Sequence, residues 1–470
     1  MRGLSIRQVR PPGKCAPLAA GLVLVLCSAG LAIEGCDGSS RDAGASPAAV
    51  ETSAARTERL DVDVTSNAGP SDPLVGLMHD SCDPHRPDGA CVDRDQVAAL
   101  HPRFWRVSDP RNYQCARALH PKITYVLMDG YADYHPRPEP WKDWAGWEGY
   151  VAKTVRLARS HDAPVDYWEP WGEPWANPTN AEQVLEAFRR ANAVIRREDP
   201  AAKVVGPSLA HWHEAALTRF LDDSVQHGLR YDAISWHEFD RPEDVPAHVQ
   251  RARELIAARP ALGTPEIHIN EYANEEQHLV PGTAVGWIAA LERANVQWTS
   301  LACWDCYENG AVWSDCWHGL EGLFLRDGRT PQALYWVFRR YSEMRGRRLT
   351  TAGDTPRTAG LATWDDARRE LRVLLGRSQR IETPAAAADV LVTLSRVPAS
   401  ILQVTVTIDR IPFVPVAGHP NAVQPLASPV SGPPAGLPVD QGTLRIRLPA
   451  VQEGEAVSIL VRPAPPRGGE

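Results

Sequence analysis

The chain has 470 residues, 43% of them hydrophobic, which is enough for a packed core and more than one compact domain usually holds. Its formal net charge is −8 and no basic run stands out, which argues against a nucleic-acid partner. Sixteen tryptophans stand against seven phenylalanines, an excess that fits flat, polar-tipped ligand surfaces or core packing.

The first segment has a basic start in Arg2, Arg7, Arg10 and Lys14, then an apolar run over 18–33 broken only by small residues. That is the layout of a secretory signal, and the run is short for a membrane span. It ends in Gly35-Cys36, which resembles the small-residue and cysteine end of a bacterial lipoprotein signal, with Glu34 out of pattern. Residues 1–36 therefore read as a signal peptide. Lipidation of Cys36, plain cleavage and an uncleaved anchor are its three fates. The expectation is a secreted or cell-envelope protein, with Cys36 as the membrane attachment in the first case. Residues 37–59 are rich in Ser, Ala, Gly and Asp without apolar period, a flexible linker.

Six cysteines follow: Cys82, Cys91, Cys115, Cys303, Cys306 and Cys316. An even number in an exported chain points to disulfides, and short loop closure favours Cys82 with Cys91 and Cys306 with Cys316. Cys115 and Cys303 read equally well as buried free thiols. No compact Cys/His motif appears, so neither a metal nor an organic cofactor is expected.

From about residue 73 to 345, short apolar runs alternate with helical periods. The runs are 74–79, 104–107, 123–128, 165–168, 203–206, 231–236, 266–269 and 298–304, eight candidate strands. Between them, Val184, Leu185, Phe188, Ala191 and Ile195 share one helical face, with Thr179 or Asn180 as cap. Val249, Ala252, Leu255 and Ile256 mark another helix, and Thr330-Pro331 opens the last. Strands separated by helices pair in parallel, and eight such units in this length predict a (β/α)8 barrel. An open doubly wound sheet would carry a Gly-rich phosphate loop after its first strand; this one runs into His79-Asp80-Ser81-Cys82.

Beyond Gly346 the runs 361–364, 371–375, 390–394, 402–408, 444–448 and 457–461 are β-like and separated by Pro- and Gly-rich turns. They predict a β-sandwich. The domain division is 60–345 for the barrel and 346–470 for the sandwich, with residues 60–64 a candidate extra strand for the latter.

Barrels carry their chemistry where strands end. The fourth strand ends in Tyr167-Trp168-Glu169-Pro170-Trp171-Gly172-Glu173-Pro174-Trp175, and the seventh in Asn270-Glu271-Tyr272. Two glutamates on opposite strands suit a retaining glycosidase, in which one carboxyl protonates the leaving oxygen and the other attacks the anomeric carbon. That needs carboxyls about 5–5.5 Å apart. Glu173, beside Trp171 and Trp175, is the expected general acid/base, because apolar rings disfavour its charge. Glu271 is the expected nucleophile, with Arg106 as the cation that keeps it ionised. Glu169 reads as a supporting partner or a rival acid.

Trp171-Gly172-Glu173-Pro174 resembles the Trp-Asn-Glu-Pro motif of glycoside hydrolase clan A, and the chain is most similar to family 39, the β-xylosidase and α-L-iduronidase group. Ser235-Trp236-His237 is similar to that family's strand 6 end, Arg106 to its strand 2 arginine, and residues 319–331 to its closing segment. The resemblance implies acid/base action by Glu173, nucleophilic attack by Glu271, and a barrel followed by a β-sandwich. It covers the barrel but rests on a few short motifs. One departure is Gly172: the family has an asparagine there, whose amide binds the sugar 2-hydroxyl. Asn270 and His237 are candidate replacements.

Candidate sugar-binding residues are Arg106, His79, Trp171, Gly172, Trp175, His237, Asn270, Tyr272, Trp304 and Trp313. Trp236 and Trp317 also fall at or after strand ends. Lone histidines are more often structural, and Trp304 also suits the core. The expected function is retaining hydrolysis of O-glycosidic bonds in a carbohydrate substrate. The alternatives are a surface carbohydrate-binding protein with impaired catalysis and a structural envelope protein on the same fold.

Overall fold

The computed structural model describes residues 57–79, 92–108, 116–128, 139–160, 165–174 and 180–464, apart from 303, 309–310, 317, 354, 381 and 418. The expected signal peptide with Cys36, and the expected linker up to residue 56, lie outside these residues. No helix among the described residues is long and apolar enough to cross a membrane.

The first strand, β1 (Thr57–Asp63), does not belong to the barrel. It pairs antiparallel with β12 (Arg347–Gly353) and parallel with β15 (Ala388–Ser395). The strand expected over residues 60–64 starts at Thr57 and pairs in the sheet that holds β12 and β15. The alternation in Thr57–Asp63 explains the pairing: Glu58, Leu60 and Val62 point inward while their neighbours face out.

The barrel consists of β2 (Gly76–Met78), β3 (Phe104–Val107), β4 (Lys122–Val126), β5 (Tyr167–Glu169), β6 (Lys203–Leu209), β7 (Ala233–Glu238), β8 (Glu266–Tyr272) and β9 (Trp298–Leu301), parallel and in sequence order. All eight expected strands are present. Gly76 lets the ends meet, since a Cβ there would stand 1.5 Å from the Thr299 carbonyl oxygen. The Thr299 hydroxyl donates to the Leu74 carbonyl across the same seam at 3.0 Å. The lower interior is plugged by Phe104, Tyr167, Val205 and Ala233, with Phe104 stacked on Trp298 at 5.7 Å. Burying such a ring fully contributes about 1.5–3 kcal/mol.

Helices α1 (Arg94–Ala99), α2 (Trp144–Ser160), α3 (Ala181–Glu198), α4 (Glu214–Gln226), α5 (Val245–Ala257), α6 (Pro281–Ala294) and α7 (Ala333–Ser342) lie along the chain between and after the strands. In α3 the buried set includes Val184, Leu185, Phe188, Ala191 and Ile195, the face expected from their spacing. Asn180 is its N-cap residue but makes no side-chain cap bond. A small hairpin of β10 (Cys306–Glu308) and β11 (Ala311–Ser314) follows β9. Cys316 is disulfide-bonded; the two expected pairings involve residues whose side chains lie outside those described.

The second unit is a ten-stranded mixed sheet. Its path joins β1, β12 and β15 with β13 (Thr358–Asp365), β14 (Glu370–Arg377), β16 (Gln403–Ile411), β19 (Val430–Ser431), β21 (Leu444–Val451) and β22 (Ala456–Pro463), with β20 (Ala435–Pro438) paired to β16, while β17 (Pro415–Val416) and β18 (His419–Val423) form a separate hairpin. It encloses its own core of Leu60, Val62, Val373, Val392, Ile446 and Ile459. The C-terminal β-sandwich is thus present and completed by an N-terminal strand. Helix α6 docks onto it: the Gly282 amide donates to the Gly454 carbonyl at 2.7 Å, and the Gln379 amide to the Thr283 hydroxyl at 3.1 Å.

Candidate active site

The site stands at the carboxyl end of the barrel. β3 delivers Arg106, β5 Glu169, the turn after it Glu173, β6 Ser208, β7 His237, and β8 Asn270 and Glu271. Ladder registers slip at Pro207/Leu209, at Trp236/His237 and between Ile269 and Tyr272. Such bulges re-aim side chains, and here they coincide with Ser208, His237 and the Asn270-Glu271 pair. His79 (φ +48°), Glu173 (+56°), Ser208 (+54°) and Ala273 (+78°) occupy the left-handed region. Each costs about 1–3 kcal/mol outside glycine, and such residues cluster at functional sites. The Glu173 amide is pinned by the Ser208 carbonyl at 2.9 Å.

At the base of the site lies a buried ion pair. Arg106 donates from Nε to Glu169 Oε2 at 2.9 Å and from Nη2 to Oε1 at 2.7 Å, a fork-to-fork contact. Its remaining Nη1 donates to Glu271 Oε1 at 2.6 Å. Arg106 and Glu169 are 2% and 0% exposed, whereas Glu271 is 15% exposed. Burial pushes the Glu169 carboxyl up, but Arg106, with His237 and the Asn270 amide, holds it below its ordinary value. Asn270 Nδ2 donates to Glu169 Oε2 at 3.0 Å and to the Ser208 hydroxyl at 3.1 Å.

Above it, His237 Nδ1 lies 2.9 Å from Glu173 Oε1 and 3.8 Å from Glu271 Oε2. One nitrogen of His237 and one carboxylate oxygen each of Glu173 and Glu271 all fall within 4.8 Å of one another. Burial pushes the Glu173 carboxyl up to about 7; Arg106 and His211 pull it down and Glu169 adds to the rise. A proton-holding carboxyl thus faces an arginine-paired one, the contrast that separates an acid from a nucleophile.

Gly172 has a steric cause. A Cβ there would stand 2.6 Å from Arg106 Nη2 and 3.3 Å from Glu169 Oε1. The volume an asparagine would use is filled by the ion pair.

Several expected sugar contacts lie elsewhere. Asn270 is 1% exposed with its amide committed inward, and Tyr272 is 1% exposed against Trp287. Trp236 is fully buried and donates to Glu238. All three side chains are buried, and the Asn270 amide is shared between Glu169 and Ser208. Trp171 is 8% exposed and stacks on Trp141 at 5.9 Å. Trp304 is half-buried, donates to the Ala273 carbonyl at 3.0 Å and meets Phe239 edge-on at 5.2 Å. The backbone carbonyl of His79 accepts from the Trp105 indole at 2.8 Å; burial and then Arg106 push its imidazole down to about 3, so it is neutral. Trp175, Trp317 and the side chain of Trp313 lie outside the described residues.

Ser208, Trp141, Phe239 and Glu321 carry no sequence signal of their own. Glu321 is fully buried and accepts from the Met78 amide at 2.8 Å. Burial raises its pKa well above the ordinary value, and Glu271 adds to the rise.

No protein-family model and no curated protein matches this chain. Solved structures do. N2152 from Neocallimastix frontalis aligns with a TM-score of 0.72 at 18% identity, covering 87% of this chain and 100% of that one. The GH39 enzyme of Xanthomonas axonopodis pv. citri aligns at 0.61 with 16% identity over 88% and 99%. A monomeric β-xylosidase from Caulobacter crescentus CB15 aligns at 0.60 with 16% identity over 87% and 100%. These likenesses establish the fold, a (β/α)8 barrel joined to a β-sandwich as in those enzymes.

Proposed function

We propose that this chain is a retaining glycoside hydrolase that cleaves O-glycosidic bonds by double displacement. The observation that carries the reading is the approach of Glu173 and Glu271, whose oxygens lie within 4.8 Å around His237. Carboxyls about 5–5.5 Å apart leave room for direct attack but none for an intervening water. Glu173, protonated up to about 7, donates its proton to the leaving oxygen. Glu271 attacks the anomeric carbon and forms the glycosyl-enzyme. Arg106 holds its Oε1 so that Oε2 remains for bond formation. Glu173, now ionised, then takes a proton from the water that releases the sugar. Only this chain's carboxyls are used, and no metal or organic cofactor takes part.

The β-xylosidase among the structural relatives makes an aryl β-xyloside the first substrate to test. Glu271→Ala abolishes turnover. Glu173→Ala lets the glycosyl-enzyme accumulate on an activated substrate, and azide restores release. Wild-type turnover in Glu271→Ala overturns the reading. Attachment to the cell envelope through Cys36 belongs to the same proposal; labelling with a radioactive fatty acid, lost in Cys36→Ala, tests it.

A second reading, a carbohydrate-binding protein with impaired catalysis, is favoured by Gly172, which supplies no amide to the sugar 2-hydroxyl. It predicts glycan binding without bond cleavage, and enzyme-dependent sugar release eliminates it.

A further inference from the structure

At the amino-terminal end of the barrel, opposite the glutamates, a cavity of about 340 Å³ opens where barrel and sandwich meet. His101 precedes β3, Arg339 and Arg345 come from the end of α7 and the turn after it, Arg368 and Arg372 from the β13–β14 hairpin, and Arg462 from β22. Three carboxylates share the lining, and each is already engaged. Glu343 lies 3.4 Å from Arg339 and 3.1 Å from Arg372. Asp365 pairs with Arg368 at 2.7 Å, and Glu370 with Arg462 at 2.7 Å. Five arginines therefore face three carboxylates, on a chain whose net charge is −8. Arg345 is half-buried and makes no ion pair among the described residues. Its field is felt nearby: burial, then Arg345 and Arg339, lower the pKa of His101, and burial, then Arg345, lowers that of Arg103.

We propose that this cavity is a second binding site, for the carboxylate or phosphate group of an acidic glycan. Guanidinium forks match the two oxygens of such groups, and a bound anion supplies the negative charge that the lining lacks. The volume falls within the range of small-molecule sites, which favour junctions between units. Recognition of an anion rests on the cavity alone. Its identification as part of a glycan rests on the proposed function. A site at this end holds a polymer without obstructing the mouth where the glutamates stand.

The test is calorimetric titration of the full chain with trigalacturonate, inorganic phosphate and neutral xylotriose. Glu271→Gln serves as background so that no probe is consumed. Trigalacturonate binds, and Arg345→Ala weakens it by about tenfold, the effect of one charge-assisted contact. Arg345→Lys restores part of the loss, and melting temperatures near the parent's show that the variants are folded. Displacement by phosphate assigns recognition of any oxyanion; binding that phosphate cannot displace assigns the carboxylate. Both support the site. Absence of heat with either anion overturns it, as does equal affinity in Arg345→Ala and Arg345→Glu. Turnover of an aryl β-xyloside by Arg345→Ala, in the Glu271 parent, equals wild type. If the wild type has no turnover while anion binding stands, the catalytic reading alone fails.

Discussion

Among the described residues two buried arginine–glutamate forks stand, one in each unit, and they are built for different ends. In the sandwich, Arg377 and Glu58 are 2% and 1% exposed and meet through Nε at 3.2 Å and Nη2 at 3.1 Å. The spare donor of Arg377 goes to the carbonyls of Ala386 and Val451, and Thr358 donates to Glu58. In the barrel, Arg106 and Glu169 are equally buried, but the spare Nη1 goes to Glu271, a side chain that opens toward solvent. The same pair is a closed joint in one place and a charged support for an accessible carboxylate in the other. Where the last donor points separates the two uses.

Arg106→Met breaks the support, and kcat/KM on an aryl glycoside falls at least about 1000-fold, because charge stabilisation in a dry site is lost. Steady-state kinetics on folded enzyme checks this; a loss under tenfold would place Arg106 outside the chemistry. Arg377→Met breaks the joint. It leaves a buried carboxylate alone and lowers stability by about 3–5 kcal/mol, while turnover below the melting transition is unchanged. Urea titration with a parallel activity assay reads both. Gly172→Asn, which restores the family residue, displaces Arg106 Nη2 and lowers turnover about 100-fold. A gain in turnover would mean that the ion pair yields to the new side chain.

The smallest effect is the pH response of Glu173. Its carboxyl titrates at about 7 in the fold against an ordinary 4.5. Between these values the folded state binds more protons than the unfolded, so stability falls as pH rises through that window. Glu173→Gln removes the loss and is more stable than wild type at pH 8, on the order of 1–3 kcal/mol. At pH 4 the two are alike. Denaturation at both pH values decides it. For the same reason wild-type kcat/KM declines above about pH 7, where the acid has lost its proton.

The barrel was legible because each strand is a short apolar run and each helix repeats on a single face. Glu173 and Glu271 were legible because they close such runs. The network beneath them was not. That Arg106 on β3 grips Glu169 two strands away is a contact no local pattern shows, and the Asn270-Glu271 pair sits where a bulge slips the register of β8 by one residue. Tyr272, which follows the slip on β8, is buried against Trp287. The cause of Gly172 is a neighbour 66 positions earlier, Arg106, and no local pattern encodes it. The β1 strand was visible as an alternation, but its partners lie in the last third of the chain.

That distant partnership has a consequence for biogenesis. β1 leaves the ribosome before any barrel strand, yet it lies between β12 and β15, which are made after all of them. The barrel can close on contacts between successive segments, while the leading strand waits unpaired for the tail of the polypeptide. Truncation from either end should therefore strip the same sheet, and the sandwich matures as the final step of synthesis.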